Sequence, residues 1–386
     1  MTENSEQVSA PEVSFVDLKT QLARLRPDID ARLAAVMSHG QFIMGPEVIE
    51  FENELANFAG AEIAVGVASG TDALRIALMA EGIGAGDAVF LPSFTFTATA
   101  EVIFACGAEP VFCDVDDRNF NLDVRSLRSK IDETKKNGSL RPRAIIAVDL
   151  FGLPADYEGI DELAAAHDIV VIADAAQSFG AQTNGKRVGG LAPVTATSFF
   201  PTKPLACFGD GGALLTNDSE RADIYRSIRA HGKGTAKYDI TRIGLNSRLD
   251  TMQAAVLLSK LTVFEDELEA RQKLADEYTN ALSDIVVTPL VDNRSQRAWA
   301  QYAILVDDRD AVASALKEKG VPTMVYYPKP MHMQPAYMSD GKPGERLPVS
   351  ENLAERILCL PMHPYMTREA VDYVCGAVRA AVSYGT

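Results

Sequence analysis

The chain has 386 residues, of which 47% are hydrophobic and 23% charged, enough to bury two packed domains. Its formal net charge of −16 argues against a nucleic acid as ligand, because a phosphate backbone is bound through clustered Lys and Arg, whereas one small anion needs only a few local donors. Five scattered cysteines without Cys-x-x-Cys spacing exclude a disulfide scaffold and indicate no metal site, and no apolar run approaches the roughly 20 residues a membrane helix needs.

Residues 1–11 are polar and acidic and lack the basic and apolar regions of a signal peptide, so 1–14 reads as a loose tail and the expected location is the cytoplasm. Residues 64–68 read as a short strand, followed by Ser69-Gly70-Thr71-Asp72 and a helical pattern through Met79. Free N–H groups at that helix start, with Gly70 allowing close approach and hydroxyls at Ser69 and Thr71, form an anion site. The same tripeptide also serves as a simple N-cap.

Strand-like apolar runs at 89–91, 110–113, 144–148, 169–173 and 213–216 alternate with helical patterns, which indicates an α/β fold with a mostly parallel sheet covered by helices. The run 169–173 delivers Asp174 to the carboxyl end of its strand, where ligands of open α/β sheets collect. The competing reading is an aspartate that caps a short helix at 175–178. Lys203 lies in Ser198-Phe-Phe-Pro-Thr-Lys203-Pro-Leu-Ala-Cys-Phe-Gly209, between an apolar strand and a glycine-rich turn. An ammonium group taken partly out of water loses its preference for the charged form, and its amine becomes able to attack an aldehyde.

Residues 252–282 carry one long helical pattern that leads to a smaller carboxyl-terminal domain, with strands expected at 299–306 and 323–326 and helices at 310–319 and 368–382. The division is a tail at 1–14, a large domain at 15–260 and a small domain at 261–386.

Five segments in this order, Ser69-Gly-Thr-Asp-Ala-Leu, Pro92-Ser-Phe-Thr-Phe96-Thr-Ala-Thr, Asp174-Ala-Ala-Gln177-Ser, Ser198-Phe-Phe-Pro-Thr-Lys203 and Gly244-Leu-Asn246-Ser-Arg248-Leu-Asp, resemble the DegT/DnrJ/EryC1/StrS group of sugar aminotransferases. The resemblance runs from about Phe15 to the carboxyl terminus. It implies the aspartate aminotransferase (type I) fold, a homodimer with shared sites, pyridoxal 5′-phosphate as cofactor, and transfer of an amino group from glutamate to a keto group of a nucleotide-linked sugar. By the same resemblance Lys203 forms the Schiff base and shuttles the proton, Asp174 holds the pyridinium and Phe96 stacks on the ring. Gln177 bonds the ring hydroxyl oxygen, Ser198 with Gly70 and Thr71 binds phosphate, and Asn246 reaches the phosphate of the neighbouring subunit's cofactor. Many relatives carry asparagine and glycine after the lysine; Pro204 and Ala206 stand here, and Pro204 has no N–H to offer.

Residues 232–238 and 326–337 resemble the subgroup that aminates carbon 3 of a UDP-linked 2-acetamido-3-keto uronic acid, for surface polysaccharide (O-antigen) synthesis. Arg248, Tyr327 and His332 are the expected sugar contacts, a guanidinium being suited to a uronate carboxylate. His332 reads equally as a loop residue without a ligand. Two alternatives stay open: a dTDP-3-keto-6-deoxyhexose as acceptor, and a cofactor-binding sensor without turnover.

Overall fold

The computed structural model describes residues 11–236, 238–338 and 345–383. Its strands in chain order are β1 (Ile63–Val67), β2 (Asp87–Pro92), β3 (Glu109–Cys113), β4 (Arg141–Val148), β5 (Val170–Asp174), β6 (Gln182–Thr183), β7 (Lys186–Arg187), β8 (Val194–Ser198), β9 (Gly212–Thr216), β10 (Ser295–Gln296), β11 (Tyr302–Leu305) and β12 (Ile357–Leu360). One seven-stranded sheet has the order β1-β9-β8-β5-β4-β2-β3. Within it only β9 runs against its neighbours, β1 and β8; the other pairs are parallel.

Each expected strand of the large sheet is present. β8, less obvious from its sequence, alternates Val194 and Ala196 with Thr195 and Thr197, all buried. The threonine hydroxyls are satisfied by backbone carbonyls of Val188 and Ala175, which lets a half-polar strand occupy the interior.

The pleat assigns side chains to two cores. Val65 and Leu214 meet Ile76, Ala77 and Leu78 of the helix Gly70–Ala80 on one face. Ala64 and Leu215 meet Phe51, Leu55 and Leu257, from the helices Pro46–Ala59 and Thr251–Leu261, on the other. β1 is an edge strand, and its outer backbone groups need partners. Glu52 and Arg229 supply them: Gly66 N–H donates to Glu52 Oε1 (2.8 Å), Gly66 C=O accepts from Arg229 Nη1 (2.7 Å), and the two side chains pair with each other.

The helical pattern expected as one stretch over 252–282 divides into Thr251–Leu261 and Phe264–Leu282. The break falls at two β-branched residues: Thr262 Oγ1 donates to Ser259 C=O (2.7 Å), and Val263 adopts φ −113°, ψ 1°. Phe264 and Leu268 of the second helix remain in the core under the large sheet, while Leu274, Tyr278 and Leu282 enter another core formed with β11, β12 and the helix Arg368–Ser383. The strand expected at 299–306 is shortened to β11, because Trp299 has φ 48°, incompatible with an extended chain. That expected at 323–326 reduces to a single bridge between Met324 and Cys359. The helices Arg309–Glu318 and Arg368–Ser383 match their expected spans closely. Of the expected tail, residues 1–10 lie outside the described residues.

Arg229 is 4% exposed, so its removal leaves Glu52 and the Gly66 carbonyl without their partner. Arg229→Ala is expected to cost about 3–5 kcal/mol in urea unfolding, and Glu52→Gln/Arg229→Ala less than the single variant, because no buried charge is then left over.

Candidate active site

A cavity of about 450 Å³ opens at the carboxyl ends of β4, β5 and β8. Strand register sets Val148, Asp174 and Ala196 abreast, and all three line it. Asp174 is buried at the end of β5, where its Oδ2 accepts from Thr99 Oγ1 (2.8 Å) and its Oδ1 from the Ala176 N–H (3.2 Å). The second bond shows that Asp174 caps the turn after its strand as well as facing the cavity. Lys203 lies in the turn after β8, fixed by its own N–H donating to Phe200 C=O (2.8 Å).

Burial acts on the two groups in opposite senses. It pushes the Asp174 carboxyl up, against the bonds from Thr99 and Ala176 and the charge of Lys203. It pushes the Lys203 ammonium down, against the charge of Asp174. Each stabilises the other's ionised form while low dielectric penalises both.

The helix Gly70–Ala80 starts at the same cavity. Ser69 is its N-cap, accepting from Asp72 N–H (3.1 Å), so the capping reading of this tripeptide holds for Ser69. The amides of Gly70 and Thr71, as at any helix start, have no partner within the helix. Gly70 is required by proximity: a Cβ there would stand 2.6 Å from Ser198 Cβ, inside contact distance. Ser198, Gly70 and Thr71 thus share one wall of the cavity.

Phe94 and Phe96 separate cleanly. Phe94 is fully buried, whereas Phe96 is 52% exposed at the cavity, its ring 6.2 Å from that of Tyr327. Gln177 is held on both sides, its Oε1 accepting from Phe151 N–H (2.6 Å) and its Nε2 donating to Tyr327 Oη (3.2 Å). The structure therefore brings Gly70, Thr71, Phe96, Asp174, Gln177, Ser198, Lys203 and Tyr327 together around one space.

Three expected residues are elsewhere. Asn246 and Arg248 line an adjoining recess that shares Asp210 with the cavity, and Arg248 Nη2 donates to Asn246 Oδ1. His332 is 4% exposed and does not line the cavity; its Nδ1 meets Ser93 Oγ (2.6 Å). The expectation that His332 touches the sugar is therefore corrected to the loop-residue reading, because its two ring nitrogens are turned toward Ser93 and Glu351.

Two contributors escaped the sequence reading. Thr99, one helical turn beyond Phe96, has the donor that holds Asp174, and nothing in the chain distinguishes it from Thr95 or Thr97. Asp149 carries the same signal as Asp174, a carboxylate directly after an apolar strand. It is fully buried outside the cavity, accepting from Ser178 Oγ (2.6 Å), Ala155 N–H (2.8 Å) and Tyr157 Oη (2.8 Å). Burial pushes its pKa up to about 7, although those three bonds act in the other direction. Among the described residues no group of His, Cys, Asp and Glu is arranged to hold a metal ion, and no helix is long and apolar enough to cross a membrane.

A partly buried amine and a buried carboxylate facing one cavity at the edge of such a sheet fit an enzyme of amine–carbonyl exchange. Residues 24–379 match the DegT/DnrJ/EryC1/StrS aminotransferase family, and the chain belongs to it. It is 46% identical, over 95% of its length and 99% of the relative's, to the UDP-2-acetamido-2-deoxy-3-oxo-D-glucuronate aminotransferase of Pseudomonas aeruginosa. It is 43% identical, over 94% of its length and 96% of the relative's, to the pleiotropic regulatory protein of Geobacillus stearothermophilus. The crystal structure of a DegT DnrJ EryC1 StrS aminotransferase from Brucella abortus superposes with a TM-score of 0.93 at 49% identity, covering 95% of this chain and 98% of that one.

The raised Asp149 carboxyl has a definite linkage. Its folded pKa of about 7 exceeds the ordinary value of 3.8, so the folded state binds the extra proton and stability falls as pH rises between these values. Asp149→Asn removes this dependence. Its stability relative to the unaltered protein is expected to be better at pH 8 than at pH 5 in paired urea titrations; an equal difference at both pH values would contradict the assignment.

Proposed function

We propose that this chain transfers an amino group from glutamate to the 3-keto group of UDP-2-acetamido-2-deoxy-3-keto-glucuronate, with pyridoxal 5′-phosphate as cofactor. The observation that carries the chemistry is the opposition of Lys203 and Asp174 within one buried cavity. The likeness to the Pseudomonas enzyme over nearly the whole of both chains supports the sugar.

The residues present fit this cofactor. The missing Cβ of Gly70 lets Ser198 pack against the helix start, so that the Ser198 hydroxyl and the free amides of that start line the cavity together, and the dipole there favours an anion such as a phosphate. Gly70, Thr71 and Ser198 hold the phosphate, Asp174 the ring nitrogen, and Phe96 covers a ring face. Gln177 Nε2 has one proton on Tyr327 and a second for the ring oxygen. When bound, the cofactor would supply an aldehyde for the Lys203 amine to condense with and a ring able to accept electrons from the substrate carbon.

The protein does the rest. Thr99 and Ala176 keep the Asp174 carboxylate oriented, and the ionised carboxylate favours a protonated ring nitrogen. Lys203 Nζ, in its neutral form, would take a proton from the substrate carbon that bears the nitrogen and deliver it to the other carbon bonded to that nitrogen; burial favours the neutral form. Phe96 and Tyr327 exclude water at the entrance.

Asn246 and Arg248 complete the site of a second subunit in a homodimer. They line a recess that adjoins the cavity containing Lys203 at Asp210, and neither lines that cavity itself, in keeping with this reading. A large unit at 15–260 and a small one at 261–386, joined through the helix Phe264–Leu282, work in the cytoplasm on a sugar destined for surface polysaccharide.

The test is mass spectrometry of products formed with pyridoxal phosphate, glutamate and freshly generated UDP-2-acetamido-3-keto-uronate or, separately, a dTDP-3-keto-6-deoxyhexose. Amination of the uronate supports the proposal. Amination of the deoxyhexose alone reassigns the acceptor, and no amination with any donor favours a sensor. Lys203→Ala is expected to lose about 10³-fold or more in turnover. Arg248→Ala is expected to lower kcat/KM about 10- to 100-fold for the uronate and much less for the deoxyhexose, as fits one charge-assisted contact.

A further inference from the structure

The loop over residues 326–337 supplies Tyr326 and Tyr327 to the cavity and contains two short 3-10 turns, Met331–Met333 and Pro335–Tyr337. Its attachment to the large sheet is concentrated at Ser93, the residue directly after β2. Met331 N–H donates to Ser93 C=O (2.8 Å), His332 N–H donates to Ser93 Oγ (3.2 Å), and Ser93 Oγ meets His332 Nδ1 (2.6 Å). His332 Nε2 lies 3.5 Å from Glu351 Oε1, and Glu351 is itself held by Arg346 and the Leu347 N–H.

Serine, histidine and glutamate in this sequence of contacts have the outline of a hydrolytic triad. Ser93 is 0% exposed, so no substrate carbonyl reaches it. What the array does is join two walls of the site. Ser93 begins the segment that continues through Phe94 to Phe96; His332 ends a stretch, Tyr327-Pro-Lys-Pro-Met-His332, stiffened by Pro328 and Pro330. Tyr327 faces both Phe94 (6.1 Å) and Phe96 (6.2 Å) at the other end of that stretch. A second anchor lies further along, where Tyr337 stacks on Phe104 (5.4 Å, 8°) and pairs with Thr97.

We propose that His332 is a positioning residue: through Ser93 it sets the separation of Tyr327 from Phe96 and so the fit of the sugar substrate, without touching the sugar. The inference rests on the proposed function for the identity of the sugar, not for the existence of the clamp. Displacing the loop widens the sugar side of the cavity, while Lys203, Asp174 and the phosphate wall, all on the large sheet, stay in place.

The test compares His332→Ala, Ser93→Ala, the double variant and His332→Gln, each loaded with pyridoxal phosphate. Amide exchange over 326–337, followed by mass spectrometry without sugar, is expected to accelerate about tenfold or more in both alanine variants. KM for the sugar is expected to rise about 10- to 100-fold, the scale of a misplacement near 1 Å, with the absorbance change produced by the amino donor alone retained within about twofold. The double variant is expected to be no worse than either single one, and His332→Gln to recover part of the loss. Unchanged exchange, or equal losses in the donor and sugar half-reactions, would overturn the proposal. If the sugar is misidentified, the exchange and donor measurements still decide the clamp, so the two readings fail separately.

Discussion

The arrangement depends on one electrostatic constraint: an ammonium and a carboxylate that face one cavity from partly and fully buried positions. Neither Lys203 nor Asp174 is stable there alone, since burial disfavours the charged form of each. Their mutual attraction, with two hydrogen bonds to Asp174, opposes that burial without cancelling it: the amine is more easily neutralised than an exposed one, and the carboxylate is held ionised only with the help of these partners. An exposed pair would be screened and chemically ordinary.

The sheet makes this possible by geometry. Parallel strands place their carboxyl ends along one edge, and the register of β4, β5 and β8 aligns Val148, Asp174 and Ala196 there. The antiparallel strand β9 then brings Gly212 against Ser69 and Gly70, where any Cβ would collide with backbone, and the helix start is seated beside Ser198. The amine, acidic and anion-binding parts come from three different connections, after β8, β5 and β1. Their relative positions follow from strand pairing, whose hydrogen bonds tolerate little slippage.

Much of this was legible in the chain. Buried strands of a parallel sheet read as continuous apolar runs, which is why 89–91, 144–148 and 169–173 were evident and why Asp174 stood out at the end of the last. β8 was less evident because Thr195 and Thr197 are polar to the eye yet satisfied by carbonyls in the fold. Thr99 could not be chosen from its neighbouring threonines, since the choice depends on which hydroxyl the helix turns toward Asp174. His332 was misplaced for a similar reason. A histidine in a polar, aromatic loop looks available, but its ring is buried, with Nδ1 bonded to Ser93, 239 positions before it, and Nε2 3.5 Å from Glu351 in the following helix.

Sequence by itself determined the order of the elements, the residue types at the strand ends and the family to which they belong, because these follow from local periodicity and short motifs. Tertiary structure alone decided which hydroxyl supports Asp174, that Asp149 stays buried without a cation, and that Asn246 and Arg248 stand in a different recess from Lys203. Those outcomes depend on contacts between residues far apart in the chain, and the energy of a buried charge is set by everything packed around it rather than by its neighbours in sequence.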